Sequence, residues 1–116
     1  MAVIGAGAVG CVVAAAALEA GHDVTLCARV PLEAIRVDRS DGTRILPVRG
    51  VVEPGAVSPV DWILLATKAQ DTAGAGPWLA RLAGPATPVV VLQNGLDHVG
   101  RLHAIGFRGN TVYLDA

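Results

Sequence analysis

The chain has 116 residues, the size of one small domain, which can remove roughly two-thirds of its unfolded surface from water on folding. Its composition is 53% hydrophobic with only four aromatic residues, Trp62, Trp78, Phe107 and Tyr113, so the core must be layered from Ala, Val, Leu and Ile. Nine basic against ten acidic side chains leave no net field to draw in a polyanion, which argues against nucleic acid as a partner.

No charge appears from Met1 to Leu18, a length close to the minimum for a membrane-spanning helix. Gly5, Gly7 and Gly10 interrupt that run, no basic residue precedes it, and Glu19 and Asp23 follow instead of positive anchors, so neither a signal peptide nor a membrane span is expected. Ala2 to Ile4 reads as a short buried strand, and Ala8 to Ala20 as a helix ended by Gly21. Asp23 to Ala28 is a second strand, with Val24 and Leu26 on one face and Thr25 and Cys27 on the other. From Pro31 to Pro59 the rhythm breaks into a short basic helix (Leu32 to Arg36), a hairpin around Ser40-Asp41-Gly42 and an irregular Gly/Pro-rich stretch. Strands at Trp62 to Ala66, Val89 to Leu92 and Val112 to Leu114 follow, separated by helices within Asp71 to Ala83 and at Leu96 to Ile105. Strand alternating with helix predicts an α/β fold: a doubly wound, mostly parallel sheet of Rossmann type in three α/β/α layers. Cys11 and Cys27 form no C-x-x-C pair and read as reduced, space-filling thiols of a cytoplasmic protein, with a redox role for Cys11 as the lesser alternative. No metal ligation is expected.

Gly5-Ala6-Gly7-Ala8-Val9-Gly10 matches G-x-G-x-x-G, a weak signal alone because Gly and Ala abound. Here it begins where a hydrophobic strand ends and runs straight into a helix, the one context in which the spacing has a physical reason. Gly5 would permit the tight turn, Gly7 the approach of a pyrophosphate, and Gly10 the packing of helix on strand, while free amides at the helix start face the phosphates. A tight turn that binds nothing is the bland alternative.

A domain selective for NAD would carry an Asp or Glu at the end of the second strand to hold the ribose hydroxyls. This chain has Cys27-Ala28-Arg29 there. A guanidinium at Arg29 suits the 2′-phosphate of NADP, a charge-assisted contact typically contributing about 1.5–3 kcal/mol; otherwise Arg29 is a solvated loop cation. Arg36 and Arg39 are possible helpers.

Two later segments fall at carboxyl ends of strands, where open α/β sheets bind ligands. Ala66-Thr67-Lys68-Ala69-Gln70 holds the chain's single lysine, which either reaches a cofactor phosphate or ribose or is a solvated loop cation. Gln93-Asn94-Gly95 precedes Leu96, Val99, Leu102 and Ile105 at helical spacing, which favours a strand-to-helix junction that leaves the Asn94 amide free for a ligand; the alternative is a capping or turn residue.

Taken together, G-A-G-A-V-G, Arg29, T-K-A-Q at Thr67 to Gln70 and Q-N-G at Gln93 to Gly95 resemble, in order, the 2-dehydropantoate 2-reductase (ketopantoate reductase) family. The resemblance implies NADPH-dependent reduction of a small 2-keto acid, with Arg29 on the 2′-phosphate, Lys68 and Gln70 along the cofactor, and Asn94 beside the nicotinamide ribose and substrate. It further implies a helical C-terminal domain that supplies a lysine acid and the substrate clamp. That domain is expected to be missing from residues 1–116, so the chain is read as the dinucleotide-binding domain alone, prone to self-association through the face left bare.

In such a reaction hydride reaches the keto carbon while a cationic acid protonates the developing alkoxide. His22, His98 and His103 qualify by type only and are read as surface histidines; Lys68 as the acid is a minority reading. Rival functions are a free-standing NADP(H)-sensing module, or the cofactor domain of another hydroxyacid or polyol dehydrogenase.

Overall fold

The structure, a computed structural model, describes residues 1–93 and 97–113. Six short strands form one parallel sheet: β1 (Ala2–Ile4), β2 (Thr25–Cys27), β5 (Arg49–Val51), β6 (Ile63–Leu65), β7 (Val89–Val91) and β8 (Thr111–Val112), in the spatial order β5-β2-β1-β6-β7-β8. Counting only these strands, the order is the doubly wound 3-2-1-4-5-6, and chain progression reverses between β1 and β6. This is the expected Rossmann-type architecture.

Alternation along each strand builds two cores. Ala2, Ile4, Cys27, Ile63, Leu65, Val89 and Val91 point to one face, where they meet Leu79, Leu82 and Leu102. Val3, Val24 and Leu26 point to the other, against Ala14 and Ala15. Helix α1 (Ala8–Glu19) lies on that second face; its buried residues are small, so its backbone comes close to the sheet. α2 (Gly76–Leu82) and α3 (His98–Ala104) supply the opposite layer. Leu26, Ile63, Leu65, Leu82 and Leu102 are fully buried, each contributing about 1.5–3 kcal/mol by leaving water.

Two expectations need correction. Leu32 to Arg36 is not a helix: β3 (Ala34–Arg39) pairs antiparallel with β4 (Gly42–Pro47), Arg39 opposite Gly42 across the foreseen turn. Five helix-favouring residues are too few to sustain a helix alone, whereas Ile35 and Leu46 bury together against the α1 layer while Arg36 and Asp38 stay in water. This layer is therefore a helix plus a hairpin. The supposedly irregular stretch contains β5, which pairs with β2 and completes the sheet; a Cβ at Gly50 would overlap the Leu32 carbonyl, so the strand needs its glycine. The helix expected within Asp71 to Ala83 is α2, which a 3-10 segment over Ala69–Ala75 precedes. The described part of the remaining elements agrees with the sequence within a few residues at their ends.

Candidate functional site

The sheet's ladders run slightly beyond the strands and then stop. Gly5 N–H donates to the Cys27 carbonyl (2.9 Å), Ala28 N–H to Val51 (3.0 Å) and Ala66 N–H to Ile4 (2.8 Å). Beyond these bonds the chains part. A groove of about 710 Å³ opens over the carboxyl end of β1, between the loop after β2 and the loop after β6. That is the location the reversal of strand order dictates, and the volume lies in the range of small-molecule and cofactor sites.

The three motif glycines do different work. Gly5 has φ +106°, and a Cβ there would meet the Ala66 carbonyl carbon and the Thr67 nitrogen at 2.9 Å. Gly10 is buried, and a Cβ on it would overlap the Gly5 carbonyl oxygen. Both are required by the close passage of α1, β1 and the β6 loop. Gly7 is different: its φ of −75° suits any residue, and a Cβ would find no protein atom within 4 Å. The fold does not ask for glycine at position 7, which borders open space on the groove.

Gly7 is also the N-cap of α1, with no side-chain capping bond and no acidic residue in the first turn. The first amides of a helix have no intrahelical acceptor, and the helix dipole adds partial positive charge there. Nothing in the chain's own first turn offsets either. The Cys11 thiol donates to the Ala6 carbonyl (3.3 Å) and so braces the turn from behind. Cys27 lines the groove floor, but burial pushes its thiol pKa up to about 12, which keeps it a packing group.

Gly5, Ala6, Gly7, Arg29, Lys68 and Gln70 are brought together along this one groove, with Arg29, Lys68 and Gln70 exposed to solvent. Ala8 and Val9 sit exposed in the first turn of α1, and Gly10 packs behind the turn. Asn94 lies outside the described residues. Arg36 and Arg39 do not assist Arg29: Arg36 pairs with Asp38 (3.0 Å), and Arg39 joins Arg44 on Glu19 near the far end of α1. His22 and His103 are exposed as expected, but His98 is buried, its Nδ1 2.7 Å from Arg101 Nη2 and its ring 5.3 Å from that of Tyr113.

Sequence reasoning missed a network at the ligand edge. Gln93 Nε2 donates to Thr67 Oγ1 (2.9 Å) and Thr72 Oγ1 (3.0 Å), while Thr72 donates to the Ala69 carbonyl (2.8 Å). One amide thus ties the end of β7 to the loop carrying Lys68 and Gln70. The signal was a polar residue two positions past a run of valines. Also missed were Asp71, Gly74, Ala75 and Trp78, which line the groove at the 3–4 residue spacing of one helix face.

Fold and groove together define a Rossmann-type α/β domain with its ligand crevice at the strand carboxyl ends. The chain belongs to the ketopantoate reductase family: the family model described as ketopantoate reductase PanE/ApbA matches residues 1–114. It is 44% identical over 100 residues to the 2-dehydropantoate 2-reductase of Caulobacter vibrioides, covering 85% of this chain and 34% of that protein. To the 2-dehydropantoate 2-reductase of Mycobacterium tuberculosis it is 41% identical over 102 residues, with 85% and 34% covered. Among solved structures, the PanE/ApbA family ketopantoate reductase of Ralstonia eutropha superposes with a TM-score of 0.82 at 28% identity, over 97% of this chain and 40% of that one. The chain therefore spans about a third of the length of the curated relatives it matches. No helix among the described residues is long and apolar enough to cross a membrane.

Proposed function

We propose that this chain binds NADP(H) along the groove and presents it for reduction of a small 2-keto acid, ketopantoate, as the names of its relatives suggest. The observation that carries the reading is Gly7, a glycine without a steric reason inside the protein, set before uncapped helix amides. A diphosphate supplies the missing reason: its oxygens need both the space and the donors. Arg29, two residues beyond β2, takes the 2′-phosphate, because a guanidinium there repays a dianion and no carboxylate is present to receive bare ribose hydroxyls. Lys68 and Gln70 lie along the sugar and phosphates on the other side of β1, held in place through Gln93. For Asn94, outside the described residues, the family resemblance alone implies a role at the nicotinamide ribose and substrate.

The dinucleotide supplies the hydride; these residues bind and orient it. The family resemblance implies that the group protonating the new alkoxide comes from a helical second domain; within this chain His22 is distant from the strand carboxyl ends and His98 is enclosed by Arg101 and Tyr113. The free thiols Cys11 and Cys27 suit the reducing cytoplasm.

Titration calorimetry tests the reading directly. NADPH should bind, and Gly7→Ser should weaken it at least tenfold or so, because the added Cβ occupies the phosphate space, without lowering stability, since serine is a favourable N-cap. Undiminished NADPH binding by Gly7→Ser would remove the argument. The reaction itself is read as ketopantoate-dependent loss of NADPH absorbance.

A further inference from the structure

One stretch of the groove wall is not accounted for by phosphate binding. After Lys68 the chain winds down the outside of the groove, and Asp71, Gly74, Ala75 and Trp78 recur on successive turns of the same face. Trp78 belongs to two environments: it packs against the core beneath α2, yet it remains half-buried and lines the groove, the single aromatic residue among the described residues that does so. The loop after β2, on the other side of β1, contributes Arg29 and Val30 to the same groove, and Val30 is 61% exposed. An exposed valine and an indole on two walls, with one cation between groove and solvent, form a slot suited to a flat apolar-faced ring that carries a phosphate nearby.

We propose that Trp78 is the wall on which the adenine base of the dinucleotide rests, making it a binding residue for the adenosine half of the cofactor. The inference rests on the NADP(H) reading above. If the diphosphate sits at Gly7 and the 2′-phosphate at Arg29, the adenosine falls in the part of the groove that the β2 loop lines from one side and Trp78 from the other. Aromatic faces hold bases through stacking and dispersion, without demanding particular hydrogen bonds.

The test uses adenosine 2′,5′-bisphosphate, which carries the base and extra phosphate without nicotinamide. In a Trp62→Phe chain, Trp78 is the sole tryptophan; Trp62 precedes β6 at the opposite edge of the sheet and is 49% exposed, so its loss leaves the groove untouched. Adding the bisphosphate should change Trp78 emission saturably, and NADPH should compete. In parallel, Trp78→Ala should weaken bisphosphate binding about tenfold, while Trp78→Phe keeps it within about threefold. A Trp78 emission that ignores the bisphosphate in a protein that binds NADPH would overturn the inference alone, as would equal losses in the Ala and Phe variants, which would make Trp78 a packing residue. If the unmutated chain binds neither compound, the cofactor reading falls first. The fluorescence arm decides the matter even if Trp78→Ala does not fold.

Discussion

The glycine turn before α1 and the β3–β4 hairpin are both short connections on the same face of the sheet, yet they treat their polar groups in opposite ways. The hairpin satisfies itself: its backbone pairs from Ala34–Pro47 to Arg39–Gly42, Asp38 accepts from Thr43 and Arg36, and Glu19 receives Arg39 and Arg44. The turn leaves a helix uncapped, a glycine unexplained and a groove at its mouth. A segment whose donors and space are all used internally serves the fold; one that leaves both open has them to offer to a ligand.

The contrast can be broken or sharpened by substitution. The largest effect is expected at Gly10→Ala, where the new Cβ meets backbone already fixed by the Gly5 to Cys27 bond; a loss of about 3 kcal/mol by urea unfolding is expected from overpacking without room to shift. A loss near that at Gly7→Ser would show that the two glycines do not differ as described. Next, Arg29→Ala should erase most of a roughly ten- to hundred-fold preference for NADPH over NADH, a change of about 1.5–3 kcal/mol, measured as the ratio of the two dissociation constants; equal affinities in the unmutated chain would contradict the assignment. Gln93→Ala removes the donor to Thr67 and to buried Thr72, with an expected stability loss of about 1 kcal/mol and a few-fold weaker NADPH binding. A stability loss with unchanged binding would separate the network from the groove.

The smallest effect concerns the hairpin's anchor. The hydrogen bond from Arg39, aided by the charges of Arg39 and Arg44, holds the Glu19 carboxyl below its ordinary value of 4.5. A carboxylate lowered on folding stabilises the native state above its unfolded pKa, and the contribution disappears as pH falls through the folded one. Unfolding curves from pH 7 downward should therefore show a loss of stability below about pH 4.5 that Glu19→Gln flattens. Asp38, lowered by Thr43 and then Arg36, leaves some slope in that variant. A Glu19→Gln curve parallel to the parent's would mean that these exposed pairs contribute nothing measurable.

Much of the fold was legible because its signals are local. Val-, Ile- and Leu-rich runs of three to five residues, separated by an Ala-rich helix ended at Gly21, can satisfy their backbones and bury their side chains only as a parallel sheet under helices. The glycine turn was legible for the same reason, as was Arg29 two residues past a strand. The ligand edge follows from strand order, so the order of motifs along the chain located most of the groove.

What the chain order could not reveal depends on partners distant in sequence. Whether Leu32 to Arg36 became helix or strand was settled by Leu46 on β4 and by the α1 layer beneath, because five residues have no intrinsic preference strong enough to resist tertiary burial. Arg49 to Val51 is a strand because β2 lies beside it and the Leu32 carbonyl passes over Gly50, and His98 is buried because Tyr113 and Arg101 close around it. Trp78 is one of four aromatic residues to which the sequence gives no place; only the meeting of the β2 and β6 loops over β1 makes it part of a groove wall. Turn chemistry and the most apolar strands are decided over a few adjacent residues, whereas weakly patterned strands, burial and shared walls are decided by contacts whose formation requires the whole chain to have folded.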